Sequence, residues 1–240
     1  MQKSLNIVIT GASRGIGYQV AKQLAGQGHS LFCVSRNKGA LQKLKQECLT
    51  LNHKANIEIL GMDITELTNN TYDLCSDIKE VFPRVDVLLN NAGILINKNF
   101  AEFSFNESAR IFNLNFFAVA TVIQQLLPVM GGEQISHIVN IGSMGGYQGS
   151  SKFPGLSYYS ASKAALSCLS ECLAEELKDS NIKVNCLALG AAQTEMLNEA
   201  FPGYKAPLSG KEMAEFISYF MISGHTFFNG KVLPVAVSAP

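Results

Sequence analysis

Seven short apolar runs, separated by longer stretches of helical periodicity, restrict this chain to very few architectures. The runs are Leu5–Thr10, Leu31–Ser35, Ile57–Met62, Val85–Asn90, His137–Gly142, Ile182–Ala188 and Val232–Val237, all rich in valine, isoleucine and leucine. Segments of this kind read as strands buried on both faces, and the stretches between them are long enough for crossover helices. Helical candidates are Gly15–Gln27, Lys38–Thr50, Leu67–Val81, Asn106–Leu127, Ser157–Asp179 and Lys211–Phe220. Asn106 and Glu107 are expected to open the fourth of these by capping. The alternation predicts an α/β domain, a parallel sheet of about seven strands with helices on both faces. No internal repeat, low-complexity tract or composition break divides the chain, so residues 1–240 are expected to form one domain.

Nineteen lysines and arginines balance nineteen aspartates and glutamates, and no run of like charge exceeds a few residues. No nucleic-acid partner is implied. The opening MQKSLNIVITG falls short of a signal-peptide core or a membrane span, which predicts a cytoplasmic protein with no membrane association. Six cysteines lack a close C-x-x-C pair and are expected to be reduced and mostly buried. Cys168 and Cys172 fall at i,i+4 on one helix face, where packing accounts for them. With His29, His53, His137 and His225 scattered among different segments, no metal site is expected.

The first strand runs into TGASRGIG, from Thr10 to Gly17, at the start of the first helical pattern. There Gly11 permits the tight turn, Gly15 lets the backbone approach a pyrophosphate, and Gly17 lets the helix pack on the sheet. The helix amino terminus offers unpaired N–H groups to phosphates. The second strand ends in VSRN, with Ser35 and Arg36 where a carboxylate would otherwise hold the ribose 2′-hydroxyl. Arg36 can pair with a 2′-phosphate and Arg14 is placed to assist, so NADP(H) is expected over NAD(H).

YSASK puts Tyr159 and Lys163 on one helix face. Free tyrosine, with a pKa of about 10, is a poor neutral-pH proton donor and acceptor unless a neighbouring cation favours phenolate. Tyr158 is not four residues before a lysine and reads as packing or pocket wall.

These motifs, in this order, resemble the short-chain dehydrogenase/reductase family along nearly the whole chain. The resemblance implies a Rossmann fold and hydride transfer between NADP(H) and a carbonyl or secondary alcohol. It also implies that Gly11, Ser13, Arg14, Gly15, Ile16 and Gly17 cradle the cofactor with Ser35 and Arg36, that Asp63 contacts adenine, and that Asn91, Ala92 and Gly93 of NNAG floor the site. Asn115 would be the structural asparagine, holding a water that links Lys163 to solvent. Ser143 would be the active-site serine beside Tyr159 and Lys163, adding a second hydrogen bond to the substrate oxygen. Lys163 would also reach the cofactor ribose, and Asn185, Gly190 and Thr194 would line the nicotinamide side. Helices Asn106–Leu127 and Ser157–Asp179 would pack on symmetry mates in a dimer or tetramer, with Phe116, Leu166, Leu169 and Leu173 on faces that suit either a core or an interface.

Three departures from the family pattern bear on the substrate. Leu189-Gly190 replaces the usual Pro-Gly, the segment from Ser143 to Tyr159 is longer than usual, and FNGKVLPVAVSAP lacks the frequent Asp-Gly-Gly. Residues 196–210, with Phe201, Pro202, Tyr204 and Pro207, are expected to form a substrate-binding loop. Its apolar character suits a small to medium neutral ketone, aldehyde or diketone. The alternative is a non-catalytic NADP(H)-binding regulatory or interaction protein, and the altered Leu189 loop is what motivates it.

Overall fold

Every predicted apolar run forms a strand, with ends shifted by no more than two residues. The computed structural model describes residues 4–69 and 71–237; positions 1–3 of the opening segment, 70 of the expected third helix and 238–240 of the carboxyl end lie outside the described residues. In chain order the elements are β1 (Asn6–Thr10), α1 (Gly15–Gly26), β2 (Ser30–Ser35), α2 (Lys38–Leu51), β3 (Ile57–Gly61), α3 (Leu74–Val81), β4 (Val87–Asn90), α4 (Phe105–Phe112) and α5 (Ala118–Leu126). There follow β5 (Ser136–Ile141), α6 (Ser157–Glu176), β6 (Ile182–Leu189), β7 (Ala192–Gln193), α7 (Glu195–Ala200), β8 (Leu208–Ser209), α8 (Gly210–Ser223) and β9 (Val232–Val235).

The main sheet has seven parallel strands in the order β3-β2-β1-β4-β5-β6-β9. The chain winds outward from β1 in one direction, then returns and winds outward from β4 in the other. A crevice therefore opens beyond the carboxyl ends of β1 and β4, where an α/β sheet binds its ligand. Helices cover both faces. Val20 and Leu24 of α1, Leu41 and Leu44 of α2, and Met213 and Ile217 of α8 fill one layer. Ile78 of α3, Val119 and Val122 of α5, and Leu166 of α6 fill the other. Each such side chain stabilises the fold by roughly 1.5–3 kcal/mol. Leu166 thus belongs to the core, whereas Phe117 is 54% exposed and faces outward.

Local chemistry moves several predicted helix boundaries. The expected helix Leu67–Val81 is in fact a tight 3-10 segment, Ile64–Asn69, followed by α3, because the Asp73 side chain accepts from Ser76 N (3.1 Å) and caps a new helix. α4 is opened by Ser104, not Asn106. Its hydroxyl accepts from Glu107 N while Glu107 Oε2 accepts from Ser104 N at 2.8 Å, a reciprocal capping box. Ser209 and Glu212 repeat the device at the start of α8.

Phe105–Val129 is long and apolar enough, by length and composition, to cross a membrane. Within that stretch Val119, Val122, Ile123 and Leu126 are buried against the layer beneath.

Candidate active site

At the end of β1 the chain reverses through Gly11, whose φ of +70° lies in the left-handed region. A Cβ there would stand 2.8 Å from Ala92 N and Cα, so only glycine lets the turn rest on the loop after β4. Asn91 fastens the two loops together, its Nδ2 donating to Thr10 O (3.2 Å) and Gly11 O (3.0 Å). Gly17 lies behind this contact, where a Cβ would meet Gly11 O at 2.5 Å. It packs the helix, as expected of it, and does not line the cavity. No side chain caps the first turn of α1, so its N–H groups open toward the crevice.

That crevice is a cavity of about 690 Å³, within the size range of small-molecule and cofactor sites. Gly11, Ser13, Arg14, Gly15 and Ile16 line one end, with Ser35, Arg36, Asp63, Asn91, Ala92 and Gly93 around them. Ser143, Tyr159, Lys163 and Gly190 line the other end, while Thr194 lies against Gly15. The glycine backbone, the uncapped helix terminus and the Ser13 hydroxyl form a donor set that fits a nicotinamide dinucleotide's phosphates.

Two charged groups at the cofactor end each stand beside a carboxylate. Arg14 does not turn toward Arg36; its guanidinium pairs with Glu199 of α7 at 2.6 Å, across the mouth of the cavity. Ion pairing outcompetes solvent for Arg14 because α7 carries its carboxylates on that side, and Glu199 holds the Arg14 pKa up through hydrogen bond and charge. Arg36 is 3.7 Å from Asp63, with its side chain 59% exposed, and Ser35 Oγ donates to Ser13 Oγ at 2.7 Å.

At the opposite end, α6 presents Tyr159 and Lys163 on one face, with the Lys163 ammonium 6.0 Å from the Tyr159 ring centre. Lys163 is only 4% exposed and donates to Ile141 O at 2.8 Å. Burial pushes its pKa down to about 8. Burial also raises the pKa of the Tyr159 phenol, and a hydrogen bond with Ser143 offsets part of that rise. The expectation that Lys163 pulls the phenol below its ordinary range is therefore corrected: desolvation dominates both groups, and the ammonium is directed to a β5 carbonyl.

Asn115 sits in a π-helical turn, Asn113–Phe117, between α4 and α5. Its Oδ1 accepts from Ile94 N (2.8 Å), and its Nδ2 donates to Ile94 O (2.9 Å) and Ser162 Oγ (3.0 Å). Fully buried behind the wall, it ties the loop after β4 to α6 and so sets Gly93 against Lys163. Asn185 requires a larger correction. It lies inside β6, buried, with its Nδ2 against His137 Nε2 and Phe228 O, both at 3.0 Å, and it does not reach the cavity. It shares its face of β6 with Leu189, which does line the cavity, but stands four residues before that strand end and so lies too far below the crevice. Gly190 abuts the end of the last strand: a Cβ would meet Ala236 Cβ at 2.7 Å.

The span expected as a loop at 196–210 begins inside α7, which is capped by Thr194, whose side chain accepts from Leu197 N (3.3 Å), and the β7–β8 pairing clamps its base. Sequence reasoning missed this helix, and Thr194 followed by Glu195 was the available signal. It also missed the apolar wall of Ile94, Met144, Phe153, Leu156 and Leu197. The extra length between Ser143 and Tyr159 pointed toward three of these residues, Met144, Phe153 and Leu156, without identifying them. Tyr158 stacks on Phe100 and meets Phe103 edge-on, with centroids at 5.6 and 5.0 Å, in the packing role predicted for it. Four cysteines are buried and all six are free; Cys168 and Cys172 are the exposed pair.

The buried ammonium gives a stability test. Between about 8 and the ordinary value of 10.5 the unfolded chain holds the lysine proton and the folded chain does not, so stability rises with pH through that window. Below it the penalty is fully present. Lys163→Met should raise stability near neutral pH by about 2 kcal/mol, several degrees of Tm, after the lost Ile141 hydrogen bond is counted. The gain should vanish at alkaline pH. Thermal melts of both proteins across that range check it, and a variant no more stable at pH 7 refutes it.

Fold and cavity together define an α/β protein with a dinucleotide cleft and a Ser-Tyr-Lys cluster at its inner end. The chain belongs to the short chain dehydrogenase family, whose model it matches over residues 5–205. It is a hydride-transferring oxidoreductase of a family that uses nicotinamide cofactors. It is similar to a fatty acyl-CoA reductase of Acinetobacter baylyi, 32% identical over 218 residues that cover 90% of this chain and 72% of that one. It is also similar to an uncharacterized oxidoreductase of Staphylococcus saprophyticus, 29% identical over 212 residues and 88% of each chain. Among solved structures, the Pseudomonas aeruginosa RhlG/NADP active-site complex superposes with a TM-score of 0.81 at 25% identity, covering 97% of this chain and 94% of that one.

Proposed function

We propose that this protein is an NADP(H)-dependent carbonyl reductase in which Tyr159 is the general acid. The observation that carries the reading is the convergence of Ser143, Tyr159 and Lys163 on the inner wall of a single cavity whose outer end is the glycine turn. Bound NADPH supplies the hydride. A carbonyl oxygen seated between the Ser143 hydroxyl and the Tyr159 phenol gains negative charge as hydride arrives, and the phenol gives it a proton. The raised phenol pKa keeps that proton in place at neutral pH, the state reduction requires. Lys163 stands close enough for its charge to favour the phenolate left behind.

Three features favour NADP(H): Arg36 at the end of β2, no carboxylate there, and the likeness to the RhlG/NADP complex. The span 196–210, most of α7 included, is read as the substrate-binding segment because Met196, Leu197, Phe201, Tyr204 and Pro207 face the cavity. The direct test is loss of reduced cofactor across a panel of carbonyl compounds, with NADPH and NADH in parallel. Turnover with NADPH on apolar ketones or aldehydes is expected. Tight NADPH binding without turnover on any of them would make this a binding protein.

The reading extends to assembly. The outward face of α6 is smooth, with Ala161, Ala164, Cys168 and Cys172 exposed, and Phe117 projects nearby. Such a surface suits a copy of the same helix across a two-fold axis. Light scattering should give at least twice the 26.0 kDa chain mass at micromolar concentration. A mass equal to one chain would refute the dimer and the tetramer alike.

A further inference from the structure

Beyond the catalytic cavity lies a second depression, an open and mostly apolar groove bordered by Phe100, Lys152, Phe153, Pro154 and Leu156. Phe153 and Leu156 belong to both hollows, so one short segment is the outer wall of the cavity and the inner bank of the groove. This is the segment whose extra length departs from the family pattern. Phe100 and Phe153 are 67% and 47% exposed, and Phe100 is stacked on Tyr158, which gives it a fixed floor. Exposed aromatic surface held rigid beside an active site is ready to cover an apolar ligand.

Lys152 gives the groove a charge. Its ammonium donates to Tyr147 O (2.6 Å) and Ser150 Oγ (2.8 Å), both neutral. Among the described residues no carboxylate pairs with it, whereas neighbouring Lys98 is neutralised by Glu107 at 2.9 Å. The groove thus joins apolar walls to one uncompensated cation.

We infer that the substrate is a carbonyl compound with a linear aliphatic chain ending in a carboxylate. The carbonyl enters the inner cavity, the chain passes Phe153 into the groove, and the carboxylate meets Lys152. This rests on the carbonyl-reducing reading of the inner site. In the reaction, hydride from NADPH adds to the carbonyl carbon and the Tyr159 proton to its oxygen, giving a hydroxy acid and NADP+; the carboxylate is unchanged.

The test compares acetone, 2-nonanone and 8-oxononanoate as substrates with saturating NADPH. Methylenes settling on a half-open apolar surface should raise kcat/KM for 2-nonanone over acetone by about tenfold or more. The carboxylate should add a further gain of about three- to fivefold, the scale of one exposed charge pair. The ratio of 8-oxononanoate to 2-nonanone should return to near one in Lys152→Met, fall at least about tenfold in Lys152→Glu through added repulsion, and survive in Lys152→Arg. A role for Lys152 in loop structure alone would shift both substrates together and leave the ratio constant. Turnover of acetone with no gain from chain or carboxylate overturns the groove and leaves the carbonyl-reducing reading intact. If no ketone is turned over, calorimetric titration of 8-oxononanoate into the NADP+-loaded protein decides. Binding that Lys152→Glu weakens keeps the groove and removes that reading, and no binding removes both.

Discussion

Tyr159→Phe is expected to lower kcat by about 100-fold or more while leaving the fold and cofactor affinity nearly intact, because it removes a proton transfer made only in the transition state. The hydroxyl lost is the one that hydrogen-bonds Ser143 on the cavity wall, and the ring stays to fill its place beside Lys163. Tyr158→Phe is the matched control. Its ring stacks on Phe100 and meets Phe103 edge-on, and phenylalanine keeps both contacts, so its activity should stay within a few-fold of the parent. Equal losses in the two variants on one good substrate would transfer the role away from Tyr159. The pH profile offers an independent readout. Reduction needs the protonated phenol, whose pKa burial raises, so its ionisation should not limit the rate at neutral pH. An early alkaline decline, near 8, would report Lys163 losing its proton.

Arg36→Asp is expected to erase or reverse the cofactor preference. In the parent, NADPH should bind at least about tenfold more tightly than NADH, the scale of one charge-assisted contact after solvent screening. The substitution removes attraction for the 2′-phosphate and adds repulsion, while a carboxylate at the end of β2 can hold a 2′-hydroxyl. The change in the NADPH to NADH ratio should therefore reach roughly 100-fold. Asp63, 3.7 Å from the guanidinium, tempers the parent's preference by sharing its charge. Arg14→Ala should move the ratio far less, because Arg14 is committed to Glu199. Dissociation constants for both cofactors, by fluorescence titration, measure this directly. Equal constants in the unmutated protein would refute the preference.

What could be read from the sequence was whatever a few consecutive residues decide among themselves. Unbroken apolar runs mark the strands of a covered sheet, so all seven appeared in place, although the edge strands β3 and β9 are only partly buried. Gly11 and Gly15 needed positive φ, and the turn they form follows from that need. The four-residue step from Tyr159 to Lys163 guaranteed a shared helix face wherever the helix went. Boundaries failed where a polar side chain competed for the backbone, as Asp73 and Ser104 did, since a capping bond of about 1 kcal/mol decides between neighbouring starts. Asn185 and Arg14 failed for a different reason. The partners of Asn185 are His137 and Phe228, and that of Arg14 is Glu199, all more than forty residues away in the chain. Burial had the same origin. Lys163 is a lysine in any sequence, but only the packing of α6 against β5 and β6 removes its water and draws its pKa down. Tertiary structure alone decided which ionisable groups lie in low dielectric and which distant chains meet them, because desolvation and charge pairing depend on separation in space.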